Sequence, residues 1–554
     1  FESGSMPYAQ KHYPFEDKAS FEKSFPAHFI AEGLDQTRGW FYTLMVLSTH
    51  LFDRPPFQNL IVNGLVLAAD GKKMSKRLKN YPDPLDMCKN HGADAVRMYM
   101  CNSPVVRAEP LKFREDGVKD VVKDVFLPWY HAYRLLTQET MRYEQAAGTK
   151  FVPDDNRMKS SSNVMDKWIT ASVHGLIKFV REEMEAYRLY TVVPRLVQFL
   201  DDLTNWYVRL NRDRMKGKKG ADDALTGLCT LYSVLLNVTV LLAPVTPFIC
   251  ELIYQNLSRA LPAGHAMKAP SVHFVMIPEA DLKSVDAGIM AAVSRMQDVV
   301  ELGRTCRNWR KVGLKTPLKS MTFMALTQDA SYLKDIKSLE SYVAEELNVM
   351  EVKYREDATD VSLSATPNFS ILGKKVGKDM KAVQAAVSQL PQADLLAFET
   401  AGVMKVCGHE LTKEDVVLQR SVKNLDDPNL ATNSNTEALV ILDFTPDDSL
   451  AEMALAREIT NKVQKLRKDA KLQLDDPVDM WVQVRKAKKG TGTLAKVLSG
   501  RGDYVQELLN RPLYPGGLLK GHEVLVKQEA FDMEASGGDE LLITITVRCP
   551  VFNE

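Results

Sequence analysis

Five basic side chains, Lys72, Lys73, Lys76, Arg77 and Lys79, crowd the stretch DGKKMSKRLKNY, residues 70–81, where Asp70 is the only acid. Positive charge at that density suits a polyphosphate. The apolar, strand-like run LIVNGLVL stands just before it, and ligands of open α/β sheets sit at the carboxyl ends of strands. Gly71 lets the chain turn sharply. Met74 offers an apolar anchor and Ser75 a hydroxyl donor. In such a loop Lys73 and Lys76 would neutralise charge developing on a departing phosphate, a preorganised electrostatic role. A solvated surface loop is the competing reading of the same residues.

Two more segments concentrate positive charge. Residues 209–219 hold six basic side chains against Asp213 alone, and residues 304–319 hold six with no acid. Arg209, Arg212 and Lys216 recur at helical spacing. With Arg307 and Arg310 in the second segment, they are candidates for contact with nucleic-acid phosphates. Trp206, Tyr207 and Trp309 stand beside these charges and could stack on unpaired bases. Trp206 also falls on an apolar helical stripe, where packing competes with stacking. Each charged side chain could equally belong to a solvated face.

These groups need elements to hold them. Over residues 25–125 strand-like and helix-like runs alternate: HFIAEG, then a helical pattern with Trp40, Leu44, Leu47 and Leu51 on one face, then LIVNGLVL, then a helix opened by Asp83-Pro84. That order predicts a parallel α/β sheet. Residues 126–260 change to long helical patterns. Val193, Leu196, Leu200, Leu203, Trp206 and Leu210 form one stripe, as in a helical bundle. Beyond about residue 283, helical stretches alternate with LVILDF, VDMWVQV and LLITITV, an α+β pattern. A faint internal echo links NWRKVGLKTPLKSMTF (308–323) with KLRKDAKLQLDDPVDMWV (465–482): each leads from a basic helix end through a short link into a strand.

At 554 residues the chain exceeds one hydrophobic core and predicts three or four domains. Lys plus Arg equals Asp plus Glu at 71 each, so any nucleic-acid site must be a local patch. Seven scattered cysteines, with no Cys-x-x-Cys pair, fit a reducing compartment and argue against zinc knuckles or a disulfide framework. The most apolar stretch, LYSVLLNVTVLLAPVTPFICELIY, is interrupted by Ser233, Asn237, Pro244 and Pro247, and predicts a buried core helix ending near Pro244.

The lysine loop resembles the KMSKS signature of the class I aminoacyl-tRNA synthetases. Its flanks, EGLDQTRGWFYTL upstream and NSPVVRAE downstream, resemble the isoleucine branch of that family. NWYVRLNRDRMKG and LLAPVTPF look like its helical anticodon-binding domain, and PNFSILGKKVGKDMK resembles the C-terminal region of the eukaryotic and archaeal type. The fold this implies is multidomain. A C-terminal part of a Rossmann-type α/β catalytic domain (1–125) is followed by an all-α anticodon-binding bundle (126–282). An α+β tRNA-binding junction (283–485) and a small α+β unit of unknown role (486–554) complete it.

The resemblance also implies an activity: ATP-dependent conversion of isoleucine to an adenylate and its transfer to tRNA(Ile). It assigns ATP contact to Lys73, Met74, Ser75, Lys76 and Arg77. The aminoacyl-adenylate falls to Glu32, Gly33, Asp35, Gln36 and Trp40. A carboxylate there could receive the substrate ammonium as a charge-assisted hydrogen bond. Glu32 and Asp35 could instead be solvated or helix-capping residues, and Trp40 a core residue. Magnesium accompanies ATP in this family; no protein-bound zinc is expected. The family expectation is a cytoplasmic monomer that touches no membrane, with a multi-synthetase complex as a protein partner. The second family signature, of His-x-Gly-His type, does not occur in the chain. With Phe1 as first residue, the expectation is a C-terminal portion of a longer enzyme, inactive alone and without the editing domain. Two alternatives stay open: a non-catalytic tRNA-binding protein derived from a synthetase, and a sister ligase for valine or leucine.

Overall fold

Apolar runs and capped helices alternate through the first quarter of the chain, and they build a small parallel α/β layer. The computed structural model describes the whole chain except residues 76, 79, 328, 357–360, 423–426, 473–475, 487–492, 510, 517–522, 534–538 and 549–554. Helix α1 (Glu2–Ala9) precedes strand β1 (Ala27–Gly33). A 3₁₀ turn (Leu34–Arg38) then leads into α2 (Trp40–Phe52) and β2 (Phe57–Asn63). The two strands pair in parallel, with Glu32 beside Val62 and Gly33 beside Asn63. The buried face of α2 is Phe41, Leu44 and Ser48. This differs from the predicted Trp40–Leu44–Leu47–Leu51 face, and Leu51 is exposed. Of that face Leu44 is buried and Trp40 and Leu47 are half-buried, both lying against α1 at Ser3 and Gly4.

LIVNGLVL is not one strand. β2 ends at Asn63, and β3 (Val66–Leu67) pairs instead with β4 (Leu111–Lys112). The break falls at Gly64, whose amide donates to the Val105 carbonyl at 2.8 Å. A Cβ here would lie 1.9 Å from the Glu109 carbonyl oxygen. Only glycine lets the NSPVVRAE segment come this close. After the lysine loop, α3 (Pro84–His91) begins as its residues demand: Asp83 accepts from the Leu85 amide at 2.7 Å and Pro84 opens the helix. Helix α4 (Ala93–Cys101) follows.

The next segment is helical. It comprises α5 (Leu127–Ala147), α6 (Val164–Glu185), α7 (Leu189–Asp201), α8 (Arg209–Met215), α9 (Ala221–Leu242) and α10 (Pro247–Leu257). A π-helical turn (Asp202–Val208) joins α7 to α8. Leu203, Trp206 and Tyr207 within it are all buried, and the predicted stripe is buried from Val193 to Trp206, with Leu210 half-buried. Among the described residues α9 alone is long and apolar enough to cross a bilayer, and here it is the buried core of the bundle.

The contacts divide the chain into units 1–291 and 292–554. In the second unit α11 (Ala287–Trp309) leads to β5 (Leu318–Ala325). Two helices, α12 (Ala330–Ser338) and α13 (Glu340–Leu347), return the chain to β6 (Val349–Arg355), parallel to β5. The hairpin β7 (Leu430–Ser434) and β8 (Ala438–Asp443) completes a sheet ordered β7-β8-β5-β6. The plan then recurs. Helix α14 (Asp448–Asp469) leads to β9 (Asp479–Lys486). Helices α15 (Thr493–Gly500) and α16 (Gly502–Leu509) return to β10 (Leu513–Pro515), parallel to β9. A hairpin, β11 (Glu523–Met533) and β12 (Asp539–Arg548), completes a sheet ordered β11-β12-β9-β10.

The entry helices end alike in the two copies. Lys311 and Lys471 take left-handed backbone at φ 56° and 59°. The next amides, Val312 and Leu472, donate to Arg307 and Arg467 at 3.0 Å each. That is a Schellman ending. The echo between residues 308–323 and 465–482 is therefore an architectural repeat. The first copy also carries residues 361–422, which include the antiparallel pair Val361–Pro367 and Val416–Val422.

Candidate functional site

The lysine loop begins as a tight turn. Gly71, at φ +84°, donates to the Ala68 carbonyl, and the Ala68 amide donates to Lys72. The Asp70 carboxylate accepts from the Lys72 amide at 3.0 Å. Leu67 and Lys73 form an isolated antiparallel bridge. From there Asn80 closes the loop: its Oδ1 accepts from the Ser75 amide at 2.9 Å, and its Nδ2 donates to the Lys73 carbonyl at 3.2 Å. Lys73 and Arg77 are exposed, while Met74 and Ser75 are half-buried. Lys76 lies outside the described residues. A cavity of about 510 Å³ opens against this loop, lined by Ala68, Met74, Asn80, Tyr81, Phe113 and Glu115 among others. The loop thus presents Lys73 and Arg77 to solvent from a closed backbone, which is an anion-receptive arrangement.

The candidate adenylate residues gather at the end of β1. Glu32 is exposed, with a carboxylate oxygen 3.4 Å from the Gly33 amide. Asp35 is also exposed and accepts from Gln36 at 3.3 Å. Asp35 caps no helix; Gln36 does that work, its Oε1 accepting from the Trp40 amide at 3.0 Å at the start of α2. The Trp40 indole donates to the Ser3 carbonyl at 2.8 Å and so ties α2 to α1. Two exposed carboxylates at a strand end could receive an ammonium group.

The basic segments divide between surface and core. Arg209, Arg212 and Lys216 are exposed on α8 or at its end. Asp213 is held by Lys216 at 3.5 Å and Lys218 at 2.6 Å. Burial opposes its ionisation, yet these lysines outweigh it and keep the carboxyl below its usual range. Trp206 and Tyr207 correct the expectation of base stacking, for both rings are buried. The Tyr207 hydroxyl donates to Asp166 at 2.8 Å, and burial raises its pKa well above the usual value.

Arg307 is a second correction. It is 1% exposed, and its guanidinium donates to the carbonyls of Leu347, Gly313 and Thr316, so no phosphate reaches it. Burial lowers its pKa to about 10. Arg310 is exposed but engaged with the Pro428 and Leu430 carbonyls at 2.6 and 2.8 Å. Trp309, 55% exposed, keeps an open face.

Sequence reasoning missed three groups. Asn80 carried no signal beyond its place at the end of the loop. Asp94 and Arg97, on α4, clasp the bundle. Asp94 accepts from the Ile249 amide at 2.7 Å at the start of α10, and Arg97 donates to the Val245 and Pro244 carbonyls at 2.9 Å each. Their spacing of three residues puts both on one face, but an exposed pair has the same spacing. Arg214, counted within a basic run, is buried and pairs with Asp166 at 2.8 Å.

The chain matches two family models: tRNA synthetases class I (I, L, M and V) over residues 1–112, and the anticodon-binding domain of tRNA ligase over residues 166–322. It is 52% identical over 510 residues to a probable cytoplasmic isoleucine–tRNA ligase of Dictyostelium discoideum, covering 92% of this chain and 47% of that protein. It is 48% identical to the cytoplasmic isoleucine–tRNA ligase of Arabidopsis thaliana (96% and 44% covered). With the corresponding protein of Mus musculus it shares 46% identity (99% and 43% covered). The chain thus spans about half the length of the curated relatives it matches.

Proposed function

We propose that this chain, a member of the class I tRNA synthetases in its residues 1–112 and a tRNA-ligase anticodon-binding domain in its residues 166–322, serves the ATP-dependent attachment of isoleucine to tRNA(Ile) in the cytoplasm. The observation that carries this reading is the closed lysine loop, which exposes Lys73 and Arg77 beyond the parallel strands. Relatives 46–52% identical to the chain carry the name isoleucine–tRNA ligase. In the reaction, the isoleucine carboxylate attacks the α-phosphate of ATP, a mixed anhydride forms and pyrophosphate leaves. A ribose hydroxyl at the tRNA end then takes the aminoacyl group and AMP leaves.

Lys73, with Lys76 and Arg77, supplies positive charge where the pyrophosphate gathers negative charge. Glu32 and Asp35 receive the ammonium group of the amino acid, beside Gly33, Gln36 and Trp40. Arg209, Arg212, Lys216 and Trp309 contact tRNA. Among the described residues no three His, Cys, Asp or Glu side chains form a metal-binding group. Magnesium would arrive with ATP, held chiefly by its phosphates.

The histidine signature is absent from the 554 residues. We therefore expect them, taken alone, to form no adenylate. The test of substrate is amino-acid-dependent ATP–pyrophosphate exchange by the complete enzyme. Isoleucine should support the fastest exchange; faster exchange with valine or leucine would reject the assignment.

A further inference from the structure

We infer that Asn80 is a positioning residue for Lys73; this rests on the role proposed above for the lysine loop. The carboxamide spans the loop from one side to the other. Its acceptor, Oδ1, meets the Ser75 amide at 2.9 Å, and its donor, Nδ2, meets the Lys73 carbonyl at 3.2 Å. The assignment of the two amide atoms is unambiguous, because a backbone N–H must meet the oxygen and a backbone carbonyl must meet the nitrogen. Asn80 is half-buried and lines the cavity together with Met74.

The rest of the loop needs this clamp. Residues 67–73 hold themselves: a turn at Gly71, the Asp70 bond to Lys72 and the bridge of Leu67 with Lys73 fix them locally. That scaffold ends at Lys73. The Lys73 side chain is exposed. Its reach is therefore set by the backbone it leaves, and Asn80 grips the carbonyl of that very residue and the amide two residues on. Without it, the loop from Lys73 to Ser75 would sample other backbone conformations. A lysine displaced by about 1 Å from developing charge loses much of its effect, on the order of 10²-fold in rate. In this arrangement Asn80 acts through Lys73.

The experiment uses the complete enzyme in four forms: unaltered, Lys73→Ala, Asn80→Ala and the double variant. The readout is isoleucine-dependent ATP–pyrophosphate exchange, with tRNA affinity measured alongside. Asn80→Ala should lower kcat by about 10- to 100-fold, leaving the KM for isoleucine and the Kd for tRNA within about twofold. The double variant should exchange no more slowly than Lys73→Ala alone. Asn80→Asp keeps size and acceptor but loses the donor, so it serves as the gentler variant and should fall between unaltered enzyme and Asn80→Ala. Asn80→Ala exchanging within about twofold of unaltered enzyme, while Lys73→Ala is slow, would overturn the inference and leave the loop's role intact. A double variant slower by the product of the single effects would also overturn it, since Asn80 would then act apart from Lys73. Lys73→Ala exchanging normally would instead overturn the role of the loop itself.

Discussion

Arg214 stands in a run of six basic side chains, 209–219, and turns inward where its neighbours turn out. Composition alone does not separate the two, because a buried arginine and an RNA-facing one read the same in a charge run. What distinguishes Arg214 is its partner 48 positions away, Asp166, which is fully buried, also bonded to Tyr207 and Ser161, and had no motif to announce it. Asp166→Ala leaves this guanidinium buried without its main partner, and should cost about 3–5 kcal/mol of unfolding free energy in a urea titration. A loss under about 1 kcal/mol would show that the network relaxes freely.

His174 gives a pH prediction at the same scale. Its Nδ1 accepts from the Asp281 amide at 3.3 Å. Burial holds its pKa below the usual 6.5, with Asp281 and Asp155 opposing and Lys159 assisting. The unfolded chain takes up a proton that the folded chain refuses. The stabilising contribution is therefore complete above pH 6.5 and is lost as the pH falls through the folded value. His174→Gln should weaken the loss of stability on acidification from about pH 7 to pH 5, followed by thermal unfolding. Identical slopes for the two proteins would contradict this.

Elements were legible where local chemistry sets them. Asp83-Pro84 marked a helix start and the helix is there; the apolar stripe from Val193 marked a buried face and that face is buried. The misreadings lie where a distant segment intervenes. LIVNGLVL reads as one strand until Gly64 meets the 102–109 segment, a contact set by residues 40 and more positions away. On α2 periodicity found Leu44 but not that Leu51 is exposed, because which stripe is covered depends on the elements packed against the helix. Gly64→Ala would drive a Cβ against the Glu109 backbone. It should destabilise the protein by about 1–3 kcal/mol and slow pyrophosphate exchange by the complete enzyme, because β3 carries the lysine loop. Unchanged melting and exchange would show that the 102–109 segment yields without consequence.

At the scale of the whole molecule, the repeated plan of the second unit was only a faint echo in the sequence. Strand order and helix endings are kept between the copies, with Arg307 and Lys311 answered by Arg467 and Lys471, while few other side chains are, so a residue pattern could carry little of it. The second copy has a core of its own: its buried cluster runs from Leu455 to Ile545 and, among the described residues, draws on none that precedes Leu455. Residues 446–554 expressed alone should therefore unfold in one cooperative transition, seen by circular dichroism and by Trp481 fluorescence. A featureless melt would mean that this copy depends on the rest of the chain.

The central claim is that the lysine loop handles ATP. Lys76→Ala in the complete enzyme tests it most directly, read by isoleucine-dependent pyrophosphate exchange beside tRNA binding. The expected result is a fall in exchange of about 10²- to 10³-fold with tRNA affinity nearly unchanged. Exchange at the unaltered rate, or a loss of tRNA affinity in its place, would contradict the claim.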